Sequence, residues 1–233
     1  MTRSTEDPAF VPANRGSEGD LRGLIVDWGG VLTNSLESAM GSWAESEQVD
    51  LIHFATLMRT WFGNEANDEA AINPVHLLER GEMEVPDFEE RLAEGLSDLA
   101  GTPVTPAGLL QRLFTQFVSA HDMNALVRRA RQHGIRTALL SNSWGDHYPE
   151  HLFDGMFDAV VISGQVGMRK PEERIYLHTV ELIRLAPAEC VFVDDLPHNV
   201  QAATAMGMVG VQHIDYETTV TELETVFGVE LRT

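Results

Sequence analysis

The alternation of short apolar runs with helical segments is the feature that most constrains the fold. Apolar runs typical of buried strands occur at 23–26, 137–140, 159–162, 191–193 and 209–211. From residue 123 onward these runs alternate with segments of helical pattern at 123–133, 172–185 and 197–206. Strands that alternate with helices in this way form a parallel sheet covered by helices. The sequence therefore predicts an α/β fold with a doubly wound parallel sheet.

A long interruption separates the first predicted strand from the second. Residues 35–120 contain no convincing strand, and helix-like stretches lie near 36–60, 71–80, 86–99 and 106–118. A crossover within a compact sheet is usually far shorter, so we interpret this segment as an inserted all-helical cap. The predicted organisation is a disordered tail at 1–20, a Rossmann-like core at 21–34 and 120–233, and a helical cap at 35–119.

Composition limits the class of function. The chain has 233 residues, 43% of them hydrophobic, which is enough for a full core. Its formal charge of −20 argues against a nucleic-acid partner, because binding to phosphate backbones requires a basic surface. No stretch approaches the roughly 18 apolar residues of a membrane helix, and the N-terminal residues lack the apolar region of a signal peptide. Cys190 is the single cysteine, which excludes an internal disulfide. We expect a cytoplasmic protein without a membrane partner, either a monomer or a homodimer.

Polar side chains follow the predicted strands at the points where these end. Asp27 ends the first strand, Ser141 and Asn142 follow the second, and Asp194 and Asp195 end the fourth. Ligands of open parallel sheets bind at the carboxyl ends of the strands. The cap leaves the chain just after Asp27, so it is expected to lie over the same edge. The sequence therefore predicts one crevice that collects three carboxylates.

Lys170 is the only lysine among the 16 basic residues of the chain. It lies just before a predicted helix that has Pro171 at its first position. Carboxylates that lie close together raise one another's pKa unless a positive charge neutralises them. Lys170 and a hard divalent cation could both do so, and Mg²⁺ is the most natural ion because it prefers oxygen ligands and substrate phosphates. We therefore predict a Mg²⁺ site beside this lysine.

Four motifs resemble those of the haloacid dehalogenase-like (HAD) hydrolase superfamily, in the subgroup with a helical cap after the first strand. They are Asp27 in VDWGGVL, Ser141 in LLSNS, Lys170 in GMRKPEERIY, and Asp194 with Asp195 in VFVDDLPHNVQAA. The match extends over nearly all of the chain from about residue 21. The Asp-x-Gly-Gly form of the first motif and the GMRKPEERIY segment are most similar to the sugar-phosphate branch, which includes an alpha-glucose-1-phosphatase.

The resemblance implies a role for each motif. Asp27 would be the nucleophile that forms an aspartyl-phosphate, which water then hydrolyses. Ser141 would hold a phosphoryl oxygen, helped by Asn142 and by the glycine-rich turn at Gly30. Lys170 would neutralise charge on the nucleophile and the phosphoryl group. The implied Mg²⁺ ligands are Asp27, the backbone carbonyl of Gly29, Asp194 and Asp195; which of the two consecutive aspartates coordinates directly is left open.

Gly29 departs from the pattern of the family. Phosphatases of this superfamily usually carry a second aspartate at this position, two residues after the nucleophile, as general acid and base. The preferred function is Mg²⁺-dependent hydrolysis of a small phosphorylated metabolite, with sugar phosphates as a candidate class. Two alternatives stay open: a metal-independent 2-haloacid dehalogenase on the same scaffold, and a catalytically weak regulatory protein that binds phosphorylated ligands.

Overall fold

The computed structural model describes residues 20–63, 73–145 and 147–232. The predicted tail at 1–20 lies outside these ranges except for Asp20, and so does the beginning of the helix-like stretch predicted at 71–80. No helix within the described ranges is both long and apolar enough to cross a membrane.

Five parallel strands form one sheet in the order β3-β2-β1-β4-β5. The strands are β1 (Gly23–Val26), β2 (Arg136–Ser141), β3 (Ala159–Ile162), β4 (Cys190–Asp194) and β5 (Val209–Gln212). All five lie where the apolar runs predicted them. The central strand β1 is buried throughout, as expected of a parallel strand that is covered on both faces.

Helices cover both faces of the sheet. Successive side chains of a strand point to opposite faces, and those of β1 accordingly enter two different hydrophobic clusters: Leu24 and Val26 contact one, and Ile25 contacts the other. The first cluster is completed by α6 (His121–Gln132) and α10 (Tyr216–Phe227), and the second by α8 (Glu173–Leu182) and α9 (Pro197–Ala205). The predicted doubly wound, Rossmann-like α/β fold is therefore confirmed.

Two details of the predicted helices were wrong. Pro171 is not the first residue of α8, because the helix begins at Glu173 and Glu172 is its extended N-cap. The side chain of Asn142 explains this: its amide accepts from the Lys170 backbone N–H at 2.8 Å and donates to the Lys170 carbonyl at 3.0 Å. These bonds hold the chain against the end of β2 before a helix can start. The sequence patterns also missed α10 and the short α7 (Ser163–Val166).

In the described part of the chain, five helices lie between β1 and the core helix α6. They are α1 (Leu36–Glu47), α2 (Leu51–Gly63), α3 (Pro74–Glu79), α4 (Val85–Ala100) and α5 (Leu109–Phe114). They pack around a hydrophobic cluster of their own, which includes Trp43, Phe88 and Leu109. The two segments that connect them to the core run side by side, joined by a bridge between Thr33 and Ser119. The boundaries predicted for the cap, at 35 and 119, stay a prediction.

Candidate active site

Asp27 lies at the carboxyl edge of the sheet, directly after β1. Its backbone N–H donates to the Val193 carbonyl at 2.9 Å, which continues the pairing of β1 with β4. The chain then turns sharply, and Gly30 takes a left-handed conformation with φ +76°. A Cβ at Gly30 would lie 2.5 Å from Oδ2 of Asp195, so only glycine lets these two segments approach so closely. The turn therefore brings the acids of β1 and β4 together.

Lys170 joins two of these acids. Its Nζ lies 2.8 Å from Oδ1 of Asp27 and donates to Oδ2 of Asp194 at 2.6 Å, and the residue is only 1% exposed. Burial alone would lower the pKa of Lys170, but attraction to Asp194 and then to Asp27 raises it above its ordinary value. The lysine is therefore a permanent positive charge between the two carboxylates.

The carboxylates outnumber this positive charge. One carboxylate oxygen each from Asp27, Asp194 and Asp195 lies within 4.8 Å of the others. Burial raises the pKa of Asp27 to about 7, and repulsion from Asp194 adds to this while Lys170 opposes it. Burial and Asp194 likewise raise the pKa of Asp195 to about 6. A set of hard oxygen donors with excess negative charge fits a divalent cation such as Mg²⁺.

Asp194 is fully buried and is held by its neighbours. Its Oδ1 accepts hydrogen bonds from the Leu196 backbone N–H at 2.9 Å and from Nδ2 of Asn199 at 3.0 Å, in addition to the bond between Oδ2 and Lys170. The sequence interpretation missed Asn199. The available signal was its position in the first turn of α9, five residues after Asp194, from which its side chain reaches back to the strand end.

The end of β2 contributes a hydroxyl pair. Ser141 Oγ and the hydroxyl of Tyr148 lie 2.9 Å apart, and both side chains are buried. Tyr148 was also missed, since nothing in its local sequence connects it to the strand. Asn142 lines the same cavity, but its side-chain amide is engaged with the backbone of Lys170. Asn142 therefore positions the lysine segment, and its predicted role as a helper in phosphate binding stays a prediction.

Gly29 and Gly30 contribute differently from each other. The N–H of Gly30 donates to Oγ1 of Thr33 at 3.0 Å, so its predicted contact with a phosphoryl group stays a prediction. Gly29 lines the cavity and does not take a left-handed conformation. The predicted coordination of Mg²⁺ by its carbonyl also stays a prediction.

Several of these groups form the floor of a cavity of about 400 Å³. The floor includes Asp27, Ser141 and Lys170, and helices α1, α2, α3 and α5 form much of the opposite wall. Glu79 of α3 reaches across to the core, where its two oxygens accept from Nε1 of Trp144 at 3.2 Å and from Nε of Arg169. The carboxyl edge of the sheet is therefore covered by the inserted helices, which is the arrangement predicted from the position of the insertion.

Comparisons with known proteins agree with this architecture. The family model of the haloacid dehalogenase-like hydrolases matches residues 21–207. The chain is 32% identical over 163 residues to the sesquiterpene phosphatase astK of Aspergillus oryzae, a match that covers 65% of this chain and 78% of that protein. It is 28% identical over 222 residues to acyl-CoA dehydrogenase family member 10 of Mus musculus, covering 90% of this chain but only 19% of that protein.

A solved structure shares the fold. It is a HAD family enzyme from Bacteroides thetaiotaomicron in a magnesium complex, which superposes with a TM-score of 0.57 at 19% identity and covers 84% of this chain and 94% of that one. The narrower placement in a sugar-phosphate branch stays a prediction, because none of these relatives bears on it. The family itself is shown by the model match, and the chain belongs to the haloacid dehalogenase-like hydrolases.

Proposed function

We propose that this protein is a Mg²⁺-dependent phosphatase that hydrolyses small phosphomonoesters, with Asp27 as the nucleophile. One observation carries the proposal: the oxygens of Asp27, Asp194 and Asp195 converge beside the buried Lys170, at the floor of a covered cavity. The similarity to a protein named as a sesquiterpene phosphatase supports phosphate ester hydrolysis as the reaction.

We assign different roles to the three aspartates. Both oxygens of Asp194 accept hydrogen bonds from protein donors, so we assign it to holding Lys170 in place. Asp195 is less buried than Asp194, and we assign direct coordination of the metal to Asp195 and Asp27. The Gly29 carbonyl completes the predicted set of protein ligands. When bound there, Mg²⁺ would neutralise and orient the phosphoryl group.

The chain's own residues carry out the bond changes in two steps. A carboxylate oxygen of Asp27 attacks phosphorus, the ester P–O bond breaks, and the alcohol leaves after taking a proton from water. Water then attacks the aspartyl-phosphate, which releases inorganic phosphate and restores the carboxylate. Lys170 opposes the rise in the pKa of Asp27, which favours the ionised nucleophile, and it offsets negative charge that develops on the phosphoryl oxygens. Ser141, at the cavity floor, is placed to donate to one of these oxygens.

The metal requirement separates this proposal from its alternatives. With p-nitrophenyl phosphate we expect turnover in Mg²⁺ and a loss of about 100-fold or more when EDTA removes the ion, because the metal supplies several kcal/mol of transition-state stabilisation. Activity should return when Mg²⁺ is added in excess. Consumption of a 2-haloacid in the presence of EDTA would instead identify a dehalogenase. Binding of phosphorylated ligands without any turnover would identify the weak regulatory binder.

Gly29 gives a second test of the mechanism. A positioned general acid–base is typically worth about 10²–10⁴ in rate, and an aspartate at this position would restore it. The position accepts a side chain: the nearest heavy atom to a Cβ there is Cε1 of Phe117 at 4.0 Å, and the backbone is not left-handed. Gly29→Asp is therefore expected to raise kcat/KM for alkyl phosphates by about 10-fold or more, and for aryl phosphates by less, because aryl leaving groups need little protonation.

Gly29→Asn is the matched control, since it adds the same volume without an acid. An unchanged melting transition must accompany both variants. Wild-type rates should also fall steeply as the leaving-group pKa rises. Two results together would contradict this account: a folded Gly29→Asp variant that is slower on every substrate, and wild-type rates that do not depend on the leaving-group pKa. They would mean that another group already supplies the proton.

A further inference from the structure

The cavity above Asp27 is polar at one end and hydrocarbon-lined at the other. From this division we infer that the substrate is a phosphomonoester with an apolar body, such as an alkyl or other hydrocarbon chain, and not a sugar phosphate. The inference rests on the proposed phosphatase function and goes further by naming the chemical class of the leaving alcohol.

The apolar end is built by the inserted helices. Met40 of α1, Phe54 and Met58 of α2, Val75 of α3, and Leu113 and Phe114 of α5 all line the cavity. Side chains from four separate helices thus present carbon and sulfur to the same space. The two methionines are unbranched and flexible, so they can adapt to apolar bodies of different shape.

Charged groups are nearly absent from this wall. Among the described residues of α1 to α5 that line the cavity, Glu79 alone is ionisable, and it is only 7% exposed. Its two carboxylate oxygens already accept from Trp144 and Arg169. The described part of the wall therefore offers a bound sugar no free carboxylate, although carboxylates are common partners for sugar hydroxyls.

This lining favours an apolar substrate body over one that carries hydroxyl groups. Hydroxyl groups that leave water for such a wall lose hydrogen bonds that the wall does not replace, which opposes binding. Each methylene that leaves water for the same wall is favoured. The phosphoryl group would remain at the polar floor with Lys170 and Ser141, so the ester oxygen is the point where the polar and apolar halves of the substrate meet. A cavity of about 400 Å³ also limits the length of the body that can be enclosed.

A homologous series of substrates tests the inference. We expect kcat/KM, measured in Mg²⁺ with butyl, hexyl and octyl phosphate below their aggregation concentrations, to rise by about 2- to 4-fold per added methylene until the cavity is full. All of these esters release a primary alcohol, so leaving-group chemistry is constant and only the body changes. A hexose phosphate should be a poorer substrate than octyl phosphate.

The outcomes separate this inference from the proposed function. A flat series, or a hexose phosphate that matches octyl phosphate, would overturn the apolar-body inference while leaving the phosphatase intact. Failure to hydrolyse any phosphate, p-nitrophenyl phosphate included, would overturn the proposed function itself and the inference with it.

A pair of variants on α2 tests whether the apolar wall causes the dependence of kcat/KM on chain length. Met58→Gln keeps the side-chain length but places an amide in the apolar wall, and it should lower the ratio of octyl to butyl kcat/KM by about 5-fold or more. Ile52→Gln is the matched control, because Ile52 lies on the same helix, is 69% exposed and does not line the cavity. It should keep the wild-type ratio. Equal ratios in the two variants would show that the helical wall does not bind the substrate body; if Met58→Gln does not fold, the wild-type series decides.

Discussion

Asp27→Asn is expected to lower kcat by about 10⁴-fold or more, because the amide that replaces the nucleophilic carboxylate cannot form the phosphoenzyme. The two side chains are nearly isosteric, and Lys170 keeps its bond to Asp194, so the fold should survive. The measurement is steady-state hydrolysis of p-nitrophenyl phosphate in Mg²⁺, together with a thermal melt. Labelled substrate should leave covalent phosphate on the quenched wild-type protein and none on the variant.

Asp215→Asn is the matched control for this substitution. Asp215 is the N-cap of α10, where its side chain accepts from the Thr218 backbone N–H at 2.8 Å, and asparagine is an equally good N-cap. This variant should retain wild-type activity, so that a general effect of losing one carboxylate is excluded. If folded Asp27→Asn turned over within a few-fold of wild type, Asp27 would not be the nucleophile and the mechanism would have to be abandoned.

The sheet and the residues at its carboxyl edge were predictable because the relevant signals are local. A strand that is buried on both faces needs a continuous apolar run, and each of the five strands has one. The residue that ends such a run lies at the carboxyl edge of the sheet, and this placement does not depend on how the other segments fold. Asp27, Ser141 and Asp194 could therefore be predicted at one edge from sequence alone. Strand order explains why Asp27 and Asp194 cluster in the structure and why Asp27 and Ser141 line the same cavity.

Helix α10 was missed because its sequence is a poor helix former on its own. The stretch YETTVTELETVF contains four threonines and two valines, which have low helix propensity. Its burial of Val220 and Leu223 against the sheet stabilises the helix. The terminal signals were nonetheless present, since Asp215 caps the beginning and Gly228 ends the helix in a left-handed conformation.

The apolar wall of the cavity was unpredictable for a different reason. Ile52 and Met58 are both apolar residues of α2, yet one faces solvent and the other faces the cavity. The face of a cap helix that lines the cavity depends on how the five helices pack together. The hydrophobic periodicity of a single helix does not determine that face. Tyr148 and Asn199 were also missed because tertiary packing, not local sequence, brings them to Ser141 and Asp194.

Lys170→Met is expected to weaken both catalysis and the fold. The residue is 1% exposed, and methionine replaces its hydrocarbon stem but not its charged amine. Its loss removes the only cation bonded to Asp27 and Asp194 among the described residues, and breaking a buried ion pair in this way typically costs about 3–5 kcal/mol of unfolding free energy. The loss of a preorganised positive charge at the phosphoryl group should lower kcat by about 10²–10³. Denaturant unfolding and steady-state kinetics measure the two effects separately.

Magnesium distinguishes the electrostatic cause from simple loss of packing. If excess negative charge is what destabilises Lys170→Met, bound Mg²⁺ should restore part of the lost stability, so the gap from wild type should be narrower in Mg²⁺ than in EDTA. Arg174→Met is the surface control: Arg174 pairs with Glu172 at 2.6 Å but its side chain is 57% exposed, and such pairs are worth about 0–1 kcal/mol. Kinetics and unfolding of Lys170→Met that match those of Arg174→Met would show that Lys170 neither holds the carboxylates nor serves the reaction. A stability gap that is equal with and without the ion would instead place Mg²⁺ away from Asp27 and Asp195.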